Sequence, residues 1–396
     1  MEALRLAWDD AFLGYDFGEA HPMSPLRLEL TERLVRDLGL LSHAGVHVAG
    51  ADVAPDEVLT TAHTPQYLDA VKAASAKEPD LDAATLHAGL GTEDVPVFFG
   101  MHDASATIAA ATRDVALAVW SGEATHGVNF AGGLHHAMPD RASGFCVYND
   151  IAVAIKALLD AGARRVAYVD VDVHHGDGVE RIFWDDPRVM TISLHETGRV
   201  LFPGTGDPTD IGGPKAYGDA VNVAFPPGTG DAAWLRAFHA VVPPMLRAFG
   251  PDVLVTQHGC DSHALDPLAH MALSLDCQRA SYEALHELAH EVAGGRWVAT
   301  GGGGYEIIDV VPRAWAHLVG IAAHQPVDPT REVPEGFRAY VQERFGRSGQ
   351  LRMTDGRPAT YTPWASGHDP GDAVDRAVMA TRKAVFPLHG LDPWFD

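Results

Sequence analysis

The stretch Tyr168-Val-Asp-Val-Asp-Val-His-His-Gly-Asp177 constrains this chain more than any other. Three valines alternate with Asp170, Asp172 and His174. In an extended strand, residues two apart point to the same side. Two carboxylates and an imidazole are therefore expected on one side of an otherwise apolar strand. Burying such groups is costly unless they pair with each other or bind a metal. A strand end whose polar side chains cap the next helix would account for one Asp, but hardly for two Asp and two His in a row. Asp172 and His174 look like two-thirds of an oxygen/nitrogen metal site. Catalytic zinc sites use three protein ligands and keep a fourth position open.

The chain has 396 residues, 46% of them apolar, enough for one large core. No apolar run is long enough for a membrane helix, and the charged start Met1-Glu-Ala-Leu-Arg has no signal-peptide core. Cys146, Cys260 and Cys277 form no CxxC pattern and no disulfide framework. A reducing, cytoplasmic setting is expected. A net charge of -24 disfavours nucleic acid as a partner and weakly favours cationic proteins or peptides. Oligomeric state is not legible.

Helical and strand patterns alternate. Ser24-Pro25 followed by Leu26–Gly39 predicts a capped helix with Leu26, Leu30 and Leu34 on one face. A second helix is expected after Asn149-Asp150, ending at Gly162. A third should begin near Ala232 and bend at Pro243-Pro244. Strands are expected at 126–130, 166–171, 189–194, 253–257 and 297–300. This alternation implies an α/β fold with a largely parallel sheet covered on both faces. Residues 1–322 read as one catalytic domain. Residues 323–396 read as an irregular C-terminal extension, packed on the domain or partly mobile.

The chemically able residues fall just past the carboxyl ends of these strands, where open α/β sheets bind ligands. His135-His136 follow the first, Asp172 and His174 the second. Ser193 and His195 close the third, Asp261 follows the fourth, and Tyr305 the fifth. Paired imidazoles after two glycines could each be oriented by a carboxylate, with Asp170 and Asp177 as natural partners. Gly301-Gly-Gly-Gly-Tyr305 could admit a substrate and bring a phenol to a developing oxyanion. For the third ligand, His258, Asp261, His263 and Asp266 compete, and spacing does not choose among them.

Five motifs, in order, resemble one known family. They are GGLHHAMPDRASGFCVYNDI (132–151), YVDVDVHHGDGVE (168–180), FPGTGD (202–207), QHGCDSHALDP (257–267) and GGGGY (301–305). The chain resembles the zinc-dependent histone deacetylase superfamily over roughly residues 5–322. Gly91–His102 and His195–Arg199 look closest to its bacterial acetoin-utilisation branch. The resemblance implies a three-layer α/β/α, arginase/deacetylase-like fold with a mainly parallel eight-stranded sheet. It implies Asp172, His174 and Asp261 as ligands of zinc, or of ferrous iron in the cell. It implies His136, oriented by Asp177, as general base and then acid, and His135, paired with Asp170, as electrostatic partner. Tyr305 would donate to the carbonyl oxygen. Phe145 and Phe202 would wall a narrow acyl-lysine tunnel, kept narrow by Gly144 and Gly303, with Leu268 near its mouth and Asp94 gripping substrate amides. A potassium or sodium ion would sit by Asp170, Asp172, His174, Ser193 and Leu194, and a second by the carbonyls of Phe183, Asp186 and Val189. Arg27, near His21 and Pro22, would line an internal channel.

The implied reaction is hydrolysis of N6-acetyl-lysine in proteins to lysine and acetate. The branch suggests a metabolic protein substrate, such as an acetylated acyl-CoA synthetase. Three alternatives compete. An arginase-type two-metal centre wants a carboxylate where Gly176 stands. A hydrolase of acetylpolyamines or other small acyl-amides tends to carry an acidic residue where Leu268 stands. A silent acyl-lysine-binding protein would need neither Tyr305 nor the His pair. His263 and His270, expected near the mouth, depart from many relatives.

Overall fold

The computed structural model describes residues 2–79 and 81–396. Met1, where the expected domain begins, lies outside them. Eight strands form one sheet: β1 (Glu2–Ala7), β2 (Val46–Ala49), β3 (Ala124–Asn129), β4 (Val166–Asp170), β5 (Val189–Glu196), β6 (Ala220–Phe225), β7 (Val253–Gln257) and β8 (Trp297–Thr300). Their order is β2-β1-β3-β8-β7-β4-β5-β6, and every neighbouring pair is parallel. Helices flank the sheet, so the chain has the three-layer α/β/α architecture. β4, β7 and β8 are buried along their whole length, as strands covered on both faces must be. No helix among the described residues is long and apolar enough to cross a membrane.

The local signals act largely as read. Gly39, at φ +84°, ends the helix Leu26–Asp37. The Ser24 hydroxyl accepts from the Leu26 N–H at 3.3 Å, while Pro25 stands in the cap position rather than in the first turn. Asn149 caps the helix Asp150–Asp160 through the Ala152 N–H at 2.9 Å. β1, β2 and β6 had no counterpart among the five expected strands. β2 is a four-residue edge strand with no fully buried residue, so it lacks an apolar signature.

The helix Asp231–Phe249 runs through Pro243 and Pro244 as one element. Pro244 has no N–H, so the carbonyl of Ala240, four residues earlier, loses its helical partner. The fully buried Arg382 donates to that carbonyl from the C-terminal helix Ala373–Val385. Arg382 also donates to the carbonyls of Pro393 (2.7 Å) and Asp396 (2.6 Å). Arg236 forms a fork on Asp375, with contacts of 2.7 and 3.0 Å. Arg313 reaches Asp355 at 3.0 Å. Residues 323–396 thus dock by arginine clamps, and add Val341, Met353, Val378 and Phe386 to the core.

Arg382→Ala leaves the buried Ala240 carbonyl, and the half-buried Pro393 carbonyl, without this donor. Urea denaturation should show a loss of about 2–3 kcal/mol, and Arg382→Lys should restore only part of it. An unchanged midpoint would contradict the clamp.

Candidate metal centre

Strand β4 ends at Asp170, so Asp172 and His174 lie beyond it rather than alternating within it. They still share one side because the turn is held by its own side chains. Asp170 Oδ1 accepts from the Asp172 N–H at 3.1 Å, and Asp172 Oδ1 accepts from the His174 N–H at 2.9 Å. Asx-type bonds of this kind do what the strand was expected to do.

The turn after β7 brings Asp261 to the same place. His174 Nδ1 lies 3.1 Å from Asp172 Oδ1 and 3.0 Å from Asp261 Oδ2. The ligand atoms of Asp172, His174 and Asp261 all lie within 4.8 Å of one another. The rival candidates after β7 face elsewhere. His258 Nε2 pairs with the Thr256 hydroxyl at 2.7 Å, and His263 Nε2 with Asp355 at 2.8 Å. Asp266 accepts from the backbone N–H groups of Tyr305 and Leu268.

Asp172 and Asp261 are fully buried, and their ion-pair partners among the described residues are histidines. With no Lys or Arg beside them, the two buried carboxylates are balanced by protonated imidazoles, or by a cation that displaces the His174 proton. The donor set of one imidazole and two carboxylates therefore fits a divalent metal with an open position.

The His pair stands beside this triad. His135 Nδ1 lies 2.7 Å from Asp170 Oδ2, and His136 Nδ1 lies 2.6 Å from Asp177 Oδ1. The two Nε2 atoms are 3.0 Å apart. Burial disfavours charge on both rings, with opposite outcomes. Around His135, the carboxylates of Asp170 and Asp172 outweigh burial and hold the ring up at about 9. Burial and the neighbouring His135 push His136 down to about 4. At neutral pH the pair carries one positive charge, on His135. His136 is left as a neutral base whose ring is fixed by Asp177.

A cavity of about 270 Å³ opens above these groups, lined by Asp94, His136, Gly144, Phe145, His174, Leu201, Phe202, Leu268 and Tyr305. The Phe202 ring sits edge-on to His136 at 4.9 Å, and Phe145 edge-on to Tyr305 at 5.8 Å. Gly144 is at φ +55°, and a Cβ there would lie 2.3 Å from the His136 ring. A Cβ on Gly303 would lie 1.9 Å from Asp261 Oδ2. Both glycines are thus required by close approach. Burial pushes the Tyr305 hydroxyl well above its ordinary value, so it remains a donor. Asp94 accepts from the Gly144 N–H at 2.7 Å. Two smaller hollows share Met23; one reaches His135 and Gly302, the other Arg27. Arg27 donates to the Gly302 carbonyl at 2.7 Å.

Asp170 is paired in register with Ser193, next to the buried Leu194. The Phe183 and Asp186 carbonyls accept in one turn that ends at Val189. His195, within β5, binds the Ser193 hydroxyl at 2.9 Å. Of the two histidines expected near the mouth, His270 is exposed and pairs with Glu196 at 2.8 Å. His263 is buried, which corrects its expected place at the rim.

Sequence reasoning missed Gln257, Tyr168 and Asp150. Gln257 donates to Asp172 Oδ2 at 2.7 Å, and Tyr168 to Asp170 Oδ2 at 2.6 Å. Asp150 accepts from the N–H groups of Gly133 and Leu134, fixing the loop that carries the His pair. Asp150 had been read only as part of a helix start. Its full burial is the signal, and a sequence does not display it.

Residues 21–322 match the family described as "Histone deacetylase domain". The chain is 40% identical over 327 residues to the acetoin utilization protein AcuC of Bacillus subtilis (strain 168), covering 83% of each chain. It is 38% identical over 324 residues to AcuC of Staphylococcus xylosus, covering 82% of this chain and 83% of that one. It is 39% identical over 359 residues to AcuC of Staphylococcus aureus (strain MSSA476), covering 90% and 91%.

Burial disfavours charge on His174, but hydrogen bonds to Asp172 and Asp261 outweigh it and hold the ring up at about 10, above the ordinary 6.5. A cation seated there must displace that proton. Between pH 7 and 9 the affinity for a divalent metal should therefore rise about tenfold per pH unit, with one proton released per ion. Competition against a chelator at several pH values measures this. A flat profile would contradict the protonated His174.

Proposed function

The chain belongs to the histone deacetylase domain family, and on that premise we propose that it hydrolyses N6-acetyl-lysine in proteins to lysine and acetate. One observation carries the reading. A neutral His136, fixed by Asp177, stands beside the Asp172/His174/Asp261 triad and under the same cavity as Tyr305.

In this reading Asp172, His174 and Asp261 hold a zinc ion, or ferrous iron in the cell. Such an ion, when bound, polarises the amide carbonyl and acidifies water. His136 Nε2 accepts the proton of the attacking water while Asp177 holds Nδ1. The charged His135, anchored on Asp170, favours the negative charge that develops nearby. The Tyr305 hydroxyl donates to the carbonyl oxygen as that charge appears. A protonated histidine of the pair then delivers a proton to the departing lysine amine. Phe145 and Phe202 offer apolar walls to the uncharged acyl-lysine stem and exclude water. Leu268 at the mouth, rather than an acid, favours a protein substrate over a cationic polyamine. Asp94, already engaged with Gly144, offers its other oxygen to substrate amides. A potassium or sodium ion by Asp170, Ser193 and Leu194 would steady the ligand turn from beneath. The relatives are named for acetoin utilization, which makes a metabolic enzyme the protein to try first, such as an acetylated acyl-CoA synthetase.

The test is acetate release from acetyl-lysine peptides and from acetylpolyamines, side by side, with chelator-stripped and zinc-restored protein. Zinc-dependent turnover of the peptides is expected. Turnover of polyamines alone would overturn the protein substrate, and turnover unaffected by stripping would overturn the metal. Tyr305→Phe should keep its metal and lower turnover about a hundredfold or more. An undiminished rate would remove the phenol from the mechanism.

A further inference from the structure

A second cluster of ligand-capable side chains lies at the opposite edge of the sheet. His126 is on β3, in register with Leu4 of β1 and with Trp297, the first residue of β8. It therefore sits towards the amino ends of the strands, away from the cavity. His286 and His290 are four residues apart on the helix Leu275–Ala293 and so share a face. His324 follows the helix Val311–Ala322 at φ +54°, a backbone conformation uncommon for a residue with a Cβ. One ring nitrogen from each of the four histidines lies within 4.8 Å of the others.

We propose that His126, His286, His290 and His324 form a second metal site, selective for a late first-row divalent ion such as Zn2+. His126 Nδ1 donates to the Ala322 carbonyl at 2.8 Å, which makes Nε2 the unprotonated nitrogen. A carbonyl behind the outer nitrogen is the usual way a ligating imidazole is fixed. That Nε2 is in hydrogen-bond contact with His290 Nε2 at 3.1 Å, a contact an ion between them would replace. A tetrahedral ion with bonds of ~2.0–2.1 Å sets its nitrogens ~3.3–3.4 Å apart. His286 Nε2 is buried with no hydrogen-bond partner, a costly state for a nitrogen with no ion to bind. Trp297 flanks the His126 and His286 rings at 5.6 Å each.

Four imidazoles suit zinc, copper or nickel and disfavour magnesium and calcium, which want oxygen. Four protein ligands also fill a tetrahedron, so this ion would be structural rather than catalytic. It would tie β3, the helix Leu275–Ala293 and the start of residues 323–396 into one unit. Nothing in this inference depends on the proposed reaction.

Three forms of the full-length chain test it: wild type, Asp172→Ala/Asp261→Ala, and His290→Gln/His324→Asn. The last pair is exposed, and Asn tolerates positive φ, so that variant should fold. Each is stripped with chelator, dialysed against Zn2+ and assayed for metal per chain. The wild type should hold two ions and each variant one. In the Asp172/Asp261 variant, Co2+ should give the visible absorption of a tetrahedral site, and Zn2+ should raise Tm. In a quadruple variant both signals should vanish. An Asp172/Asp261 variant that binds no ion, or a His290/His324 variant that binds as many as wild type, would overturn the site.

Discussion

Four carboxylates buried at the carboxyl ends of a parallel sheet's strands are the constraint around which this protein is organised. Asp170, Asp172, Asp177 and Asp261 lie within the site, each nearly or wholly removed from water. Charges so buried would rather take up protons than remain ionised. The surroundings supply donors to prevent it: Tyr168, Gln257, and backbone N–H groups from Asp172, Val173, Gly178 and Gly303. Backbone donors must come close, which is why glycines crowd the site.

The same field explains how two adjacent, similar histidines take different states. His135 faces two carboxylates and keeps a proton. His136 faces one carboxylate and a charged neighbour, and gives its proton up. Neither ring is special in itself. The division follows from the carboxylates around each ring, and Asp150 holds the loop that carries both.

Much of this was legible in the chain because chemistry-bearing residues cluster after apolar runs. The strands that carry them, β3, β4, β5, β7 and β8, are buried, and so apolar enough to read. β2 is not, being a half-exposed edge, and the eight-strand count came from resemblance alone. The choice of Asp261 over Asp266 was not readable from spacing. Both follow the same strand, and only the turn between them decides that one faces His174 while the other caps the Tyr305 loop. Asp172 and His174 share one side for a different reason from the one expected, since the strand stops at Asp170 and side-chain bonds take over. Gln257 was invisible because an amide at a strand end is ordinary until its partner is known. The expectation that His263 lay at the mouth failed because its partner, Asp355, is 92 residues away in sequence.

That last contact reaches further than its size suggests. Asp355 accepts from His263 and from the Leu275 N–H, and is itself gripped by Arg313. His263 is two residues from Asp261, on the same turn. The match to the family ends at residue 322, yet a hydrogen-bonded brace from beyond that limit supports the turn carrying a candidate ligand. Where the recognisable domain stops and where the working unit stops are thus different places. A chain cut back to its recognisable part would retain every candidate site residue and forfeit the backing of the turn that carries Asp261.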